Sequence, residues 1–549
     1  MLGHLEPGSG AILGAGAGNR RHQRLEGLSP HWDILVIGGG INGAGVFRQA
    51  ARSGLKVLLL DRSDFAWGAS SRSSKLIHGG LRYLRQGQIR LLVQSVRARE
   101  TLLAQAPGLV LPMQVLMPLY RGLGPKPWHL AGGLALYDLI AMKRRSRSFA
   151  PARFHQVAPW INTTNLIGGV TYGDARVDDA RLVLRLIAEG VAHGGVALNY
   201  VTVGPIARDR SEKARAVVVI DGQSTTQRTL SARVVVNATG SDTDRGHRAG
   251  QRPGRLRPLK GSHLILPSNV LPGDIGLSFF HPADGRPVFA FPWEGVVLAG
   301  TTDIDYEGDL SREPTVAAAE MAYLIEGLSS ILPRPPSLEP RCRAVFAGVR
   351  PVWGGGAAAP SAEPRWHHIE AHNQVVTIVG GKLTTFGHVV HEALAAARVF
   401  LAGAPVRGTG QRLLDPVPLT TMPRGLSPVR WQRLCGRYGR MAGTLVATAD
   451  PAHLEPVDGT PTLWAELAHA AANEWVWHLD DLLLRRVRIG LTLADGAMAF
   501  MPRIRALCGS CLGWDDARWE AEIRRYQAKW QRLHAPLTSA VQACPVTAP

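Results

Sequence analysis

Asp33 to Leu84 is the stretch that decides the fold, and it holds three runs: DILVIGGGINGAG (33–45), VLLLDRSDF (57–65) and SSRSSKLIHGGLRYL (70–84). Ile34 to Ile37 is a short unbroken apolar run, the pattern of a strand buried on both faces. Gly38, Gly40 and Gly43 follow as G-x-G-x-x-G, with Gly45 two residues on. A helix predicted to end near Ser53-Gly54 leads to a second strand at Lys56–Leu60, closed by Asp61, 23 positions after Gly38. The first glycine permits a tight turn, the second lets backbone amides approach a pyrophosphate, and the third lets helix pack on strand. The helix N-terminus offers unpaired N–H groups to phosphates, and an acid ending the second strand suits ribose hydroxyls. A bare G-x-G-x-x-G says little in a chain with 61 glycines. In register with strand, helix, second strand and acid, it specifies a dinucleotide-binding unit.

The 549 residues leave room for two or more domains around a large core, and 45% hydrophobic content fits a globular protein. No apolar run reaches the 18 or more residues of a membrane-spanning helix. Residues 1–30 are Gly-rich and lack the charged-then-apolar order of a secretory signal, so they read as a disordered extension. An organelle-targeting peptide is the competing reading, and Glu6 and Glu26 count against it. Five cysteines imply a reducing compartment without a disulfide framework. Cys508 and Cys511 form a single C-x-x-C with no second pair and read as incidental. A net charge of +19 suggests attraction to lipid headgroups, nucleic acid or a phosphorylated substrate. The plain alternative is arginine scattered over a solvated surface.

Along the chain, Ile89 to Ala106 reads as an amphipathic helix. Residues 116–150 mix apolar and basic character: Leu130 to Met142 is flanked by Trp128 and Tyr137 and followed by Lys143, Arg144, Arg145 and Arg147. That suits a segment in a membrane interface and equally a buried helix with a basic last turn. Residues 174–195 read as a helix capped by Asp178 or Asp179 and stopped at Gly194. ARVVVNATG (232–240) reads as a strand returning to the nucleotide fold, and 260–306 as antiparallel strands. VVTIVGGKLTTFG (375–387) reads as strand, glycine turn and the start of a helix running to about Phe400. A Gly/Pro/Thr-rich linker is predicted at 403–425, and helices at 428–447, 462–490 and 514–533.

Seven segments in order carry a family resemblance: SSRSSKLIHGGLRYL, YGDARVDDARLVL (172–184), VNATG (236–240), KGSHLILP (260–267), GTTDIDYEGD (300–309), GVRP (348–351) and GGKLTT (380–385). Over roughly 32–400 the chain resembles the FAD-dependent, quinone-linked glycerol-3-phosphate dehydrogenases. LDDLLLRR (479–486) is similar to that family's C-terminal domain. The resemblance implies an α/β fold: a glutathione-reductase-like FAD-binding Rossmann domain, an inserted antiparallel β substrate domain of the D-amino-acid-oxidase kind, and a helical C-terminal domain. The expected division is 1–30 extension, 31–402 oxidoreductase domain, 403–425 linker and 426–549 helical domain. The implied reaction is oxidation of sn-glycerol 3-phosphate to dihydroxyacetone phosphate, a step of glycerol metabolism, with hydride from C2 passing to FAD and electrons to a membrane quinone.

A phosphate dianion calls for fixed cations, and the planar fork of arginine bonds phosphate oxygens in pairs. By resemblance, Arg82, Tyr83, Arg350 and Arg365 bind substrate. His263 is the first choice of base, because a neutral imidazole takes a proton near pH 7. Lys382 is the alternative, or orients the C2 oxygen or stabilises charge on the reduced flavin. FAD is expected at Gly38, Gly40, Gly43 and Asp61 at its ADP end, with Ser70, Ser74, Lys75, Leu76, Gly381, Thr384 and Thr385 near the flavin; no metal is expected. The chain departs from the family in reading ATGSD (238–242) for ATGPW, and WGGGAAAPSAEP (353–364) for an acidic polar loop. The expected partners are the substrate, quinone and an anionic membrane surface at the cytoplasmic face of the inner membrane. Nucleic acid is not expected, and a homodimer is left open. Two readings compete with the quinone-linked enzyme: an oxidase delivering electrons to oxygen, and a catalytically weakened basic binding module.

Overall fold

The computed structural model describes residues 25–81, 83, 87–208, 214–246, 256–332, 338–354, 360, 363, 366–401, 412–417 and 422–537. Among these, two sheets of eight and ten strands form the body. The first is built on His31–Ile37, whose neighbours Val57–Leu60 and Gln227–Asn237 both run parallel to it. Val375–Gly380 and Val196–Leu198 extend the parallel sheet on either side. Parallel strands must be covered on both faces, which is why Ile34, Val36, Leu58 and Val234 are buried. Helices Ile41–Arg52, Asp179–Ala192 and Phe386–Arg398 supply much of one cover. On the other face the antiparallel strands Val201–Arg208 and Ala214–Asp221 pack with Leu25 and Leu28, so residues 25–30 belong to the fold. Residues 1–24 of the expected extension lie outside the described residues.

The expected strands between 260 and 306 are present as Leu256–Pro267, Ile275–Phe280, Pro287–Trp293 and Val296–Gly300, joined antiparallel. Ala344–Trp353 pairs along ten residues of Leu256–Pro267, from Leu256↔Trp353 to Ile265↔Ala344. Residues 174–177, expected from sequence to begin the helix, instead end the strand Leu166–Val177. The helix begins at Asp179, with the Asp178 carboxylate accepting the N–H of Arg181. Part of the expected linker is firmly held: Asp415 pairs with Arg48 (2.7 Å) and His193 (2.8 Å), and Leu414 is fully buried. Residues 402–411 and 418–421 lie outside the described residues.

The region predicted as one helix over 462–490 is broken. Trp464–Asn473 ends where Trp475 takes φ 51°. A new helix from Leu479 contains a wider turn in which Val487 N–H reaches back five residues to Leu482 O at 3.1 Å. That turn carries Arg485 and Arg486 inward, and Arg488 follows with φ 65°. All three are buried. Arg486 donates to Asp64 (2.8 Å), Arg485 to Asp480 (2.8 Å) and Arg488 to Asp178 (3.0 Å) and Asp179. Burial pushes the Asp64 carboxyl up, but Arg486 and Arg485 outweigh it and hold the group at about 2. Leu479, Leu482 and Leu483 share a core with Met113, Trp293 and Phe346 of the second sheet, so the helical region is packed into the body.

His534, after the last helix (Asp516–Leu533), bonds Val345 O through Nδ1 at 3.0 Å. Burial lowers its imidazole from the ordinary 6.5 to about 4. The unfolded chain therefore binds a proton near pH 6.5 that the folded chain refuses until about pH 4. Its contribution is complete above pH 6.5 and is lost as pH falls, by about 3 kcal/mol in total. Thermal midpoints followed between pH 7 and 4.5 should fall less steeply in His534→Gln than in the parent; an equal slope would refute this assignment.

Candidate active site

The glycine loop packs closely against Ala238 and Thr239, just after the strand Gln227–Asn237. Gly38 has φ 104°, and a Cβ there would stand 2.5 Å from Ala238 O; one on Gly43 would stand 1.9 Å from Gly38 O. No side chain fits at either position. Asp61, at the end of the second strand, accepts N–H groups from Gly39 (2.7 Å) and Ser63 (2.8 Å). Burial pushes its carboxyl up to about 6 against the pull of those amides. Ser70 Oγ accepts the N–H of Ile41 at 2.9 Å, so Ser70 caps the first helix at Gly40. Asn42 donates to Gly380 O at 3.2 Å, tying the loop to the second glycine turn, while its buried Oδ1 has no hydrogen-bond partner. An acid at the strand end, a glycine turn that admits no Cβ at Gly38 or Gly43, and an orphan acceptor at the helix start fit the adenosine diphosphate half of FAD.

The second glycine turn has Gly380 and Gly381 at φ 73° and 90°, followed by helix Phe386–Arg398. A Cβ on Gly380 would lie 3.5 Å from Pro351 O, so this turn abuts the strand that carries Arg350. Thr384 and Thr385 are buried beneath it. Lys382 Nζ stands 3.8 Å over the ring of Tyr83 and 3.4 Å from Ser95 Oγ. Tyr83 itself is buried, and its ring is the platform for this ammonium.

On the second sheet, residues alternate between two faces. Ser262 and Lys260 point to one face, where both meet Glu320 of helix Ala318–Ile331. Gly261 and His263 point to the other, with the cross-strand pair Phe346 and with Arg350. A Cβ on Gly261 would strike Arg350 Nη2 at 2.4 Å, so the guanidinium lies directly over this glycine. Arg350 donates to Asp303 Oδ1 and Thr301 Oγ1, both at 3.1 Å, and keeps 30% of its side chain exposed. His263 is 1% exposed and stacked on Phe346 at 4.6 Å. Its Nε2 is 3.0 Å from Ser74 Oγ, and its buried Nδ1 has no hydrogen-bond partner. Burial first, then the charges of Arg350 and Lys75, hold this imidazole well below 6.5, so it is neutral at pH 7 and available as an acceptor.

The structure therefore brings Arg350, His263 and Ser74 to one face of the second sheet. Lys382, on the turn that abuts Pro351, stands over the ring of Tyr83. Lys75 and Leu76 are placed differently from the expectation that they line the flavin. Lys75 is fully buried, its Nζ bonding Asp179 Oδ1 (2.9 Å) and Ser71 O (2.9 Å), and Leu76 is a core residue paired with Arg176. The backbone of Lys75 is engaged as well, its N–H with Ser73 Oγ (3.0 Å) and its carbonyl with the N–H of Val177 (2.9 Å). Arg82 and Arg365 lie outside the described residues, as do 355–359 of the altered loop. Among the described residues no group of three or more His, Cys, Asp or Glu side chains is arranged to hold a metal.

Several positioning residues escaped the sequence reading. Asp303 and Thr301 orient Arg350, and both sit in the quoted GTTDIDYEGD segment. Asp179 grips Ser73 through N–H (3.0 Å) and Oγ (2.7 Å) as well as Lys75, fixing Ser74 between them. Asp174, Tyr137 and Arg99 hold the turn at Gly79, whose N–H meets Tyr137 Oη at 2.9 Å and Asp174 at 3.1 Å. The acids were visible in the sequence; their partners lie too far along it to be paired by eye.

Residues 33–386 match the family model described as FAD dependent oxidoreductase, and 376–519 match the C-terminal domain of alpha-glycerophosphate oxidase. The chain is 31% identical to glycerol-3-phosphate dehydrogenase 2 of Mycobacterium bovis over 94% of its own length and 90% of that protein. It is 30% identical to the glycerol-3-phosphate dehydrogenase of Synechocystis, covering 90% of this chain and 95% of that one. A solved glycerol-3-phosphate dehydrogenase from Bacillus halodurans, complexed with FAD, superposes with a TM-score of 0.74 at 24% identity, covering 95% of this chain and 99% of that one.

Proposed function

We propose that this chain, which belongs to the family of FAD-dependent glycerol-3-phosphate dehydrogenases, oxidises sn-glycerol 3-phosphate to dihydroxyacetone phosphate and passes the electrons to a membrane quinone. The observation that carries the chemistry is the pairing of Arg350 and His263 on one sheet face, beside the turn that Asn42 ties to the glycine loop. FAD, when bound, supplies the hydride acceptor. Gly38, Gly40, Gly43 and Asp61 hold its ADP end, and Gly381, Thr384 and Thr385 stand at the flavin end. Arg350, held by Asp303 and Thr301, presents its exposed edge to the phosphate of the substrate. His263 takes the proton of the C2 hydroxyl as the C2 hydrogen leaves with its electron pair, producing the ketone. Lys382 supplies positive charge near that oxygen. The imidazole is neutral at pH 7, and its Nδ1 is the ring nitrogen left without a hydrogen-bond partner.

A surface feature supports delivery to a quinone. Helix Pro127–Ala141 exposes Trp128 (66%), Leu139 (72%) and, just after it, Met142 (89%), beside exposed Lys126, Lys143 and Arg144. Its one acid, Asp138, is occupied by the N–H groups of Arg145 (3.0 Å) and Ser146 (2.9 Å). Apolar tips ringed by cations suit a peripheral helix on an anionic leaflet, at the cytoplasmic face of the inner membrane. Among the described residues no helix is long and apolar enough to cross a membrane.

The test is anaerobic mixing of the flavin-loaded protein with glycerol 3-phosphate. The flavin absorbance should bleach, then recover quickly on anionic vesicles carrying a quinone, without peroxide. Failure to bleach rejects the reaction. Bleaching followed by rapid recovery in oxygen alone, with peroxide, replaces the quinone by oxygen.

A further inference from the structure

The departure ATGSD places an acid, Asp242, where it reaches across the dinucleotide groove. Arg62 Nη1 donates to Asp242 Oδ2 at 2.8 Å. Arg62 directly follows Asp61, the acid at the end of Val57–Leu60. Asp242 lies in the short turn Gly240–Gly246 that follows Gln227–Asn237. Those two strands flank His31–Ile37, which delivers the glycine loop, so the two side chains approach each other from opposite sides of that loop. With neighbouring strands about 4.8 Å apart, the pair bridges a gap of roughly 10 Å across the crevice at the carboxyl ends of the strands. This is where a dinucleotide lies in such a fold. Each partner is anchored close to the cradle. Asp61 is bonded to Gly39, and a Cβ on Gly38 would stand 2.5 Å from Ala238 O and 3.1 Å from Thr239 Cα. The Asp242 N–H is itself bonded to Thr239 O at 3.3 Å.

We propose that Arg62 and Asp242 form a strap over the mouth of the FAD groove and slow the release of the cofactor. The inference rests on the FAD site described above and adds two residues to it. The side chains are 35% and 17% exposed, so the pair is partly shielded from solvent yet within reach of salt. Its charge pattern makes the strap separable from simple electrostatics. Asp242 is an anion beside a diphosphate, so if it acted only by its own field, its removal would tighten FAD binding. If it acts by holding Arg62 across the groove, its removal loosens binding.

The experiment follows the rise of free-flavin fluorescence after dilution of the loaded protein. Asp242→Asn should release FAD about two- to fivefold faster than the parent at low ionic strength, the range expected of a partly exposed ion pair. The difference should shrink when salt screens the pair. The charge-swapped double variant, Arg62→Asp with Asp242→Arg, should return the release rate toward that of the parent. Unchanged or slower release in Asp242→Asn, or a double variant that releases FAD as fast as the single one, overturns the strap. FAD bound per chain before dilution is measured in every variant; a parent that carries no FAD would instead overturn the cofactor site itself.

Discussion

Arg350→Ala is expected to raise the KM for glycerol 3-phosphate about 100-fold while the FAD bound per chain stays at the parent level. Of the three arginines assigned to the substrate, Arg350 is the one among the described residues, and its fork is fixed at two points by Asp303 and Thr301. Truncating one partner of a charge-assisted pair costs about 2–5 kcal/mol, and every 1.4 kcal/mol is tenfold in affinity. Arg350→Lys should recover only part of the loss, because an ammonium cannot bond two oxygens in one plane. A second signature separates binding from collapse of the site. Arg350 is one of the charges that lower the His263 imidazole, so its removal raises that group. The acid limb of kcat/KM should therefore move to higher pH in Arg350→Ala. An unchanged KM accompanied by loss of flavin would remove Arg350 from the substrate site.

How much of this was legible differs sharply between halves of the chain. The βαβ unit at 33–61 and the glycine turn at 380–385 announce themselves because strand, turn and helix are neighbours in sequence, and each needs a distinctive residue. The sheet carrying His263 and Arg350 was equally readable, since alternation over 260–306 and RAVFAGVRP at 343–351 leaves few other conformations. LDDLLLRR was read as part of one amphipathic helix, a natural inference from local periodicity. Its basic residues Arg485 and Arg486 are interior instead, because Asp64, more than 400 positions away, waits to receive them, as Asp178 and Asp179 receive Arg488 just beyond. No local pattern encodes a partner at that distance. The same cause explains Lys75, which resembles a cofactor-lining residue in sequence and is a structural cation in three dimensions. It also bears on the +19 charge, since Arg48, Arg99, Arg181, Arg437, Arg485, Arg486 and Arg488 are buried and none of them adds to an electropositive surface.

That buried network supplies the larger stability effect. Asp179→Ala removes the acceptor shared by Lys75, Arg488 and Ser73, and leaves an ammonium and part of a guanidinium uncompensated in the core. Removing one member of a buried ionic cluster costs about 3–5 kcal/mol. Lys75→Met should cost much less. Asp179 keeps Arg488 and Ser73 in that variant, and burial has already brought the Lys75 ammonium down to about 8, close to surrendering its proton. The asymmetry matters for function, because Asp179 grips the residues on both sides of Ser74, whose hydroxyl is the neighbour of His263. Asp179→Ala should thus lower the thermal midpoint and also slow flavin reduction at saturating substrate in whatever protein remains folded. Lys75→Met should leave the reduction rate near that of the parent and shift its pH dependence upward, since Lys75 is among the charges that depress His263. Equal losses of stability in the two variants would mean that the cluster is held by Lys75 as much as by Asp179. Unaltered flavin reduction in folded Asp179→Ala would mean that Ser74 and His263 keep their places without it.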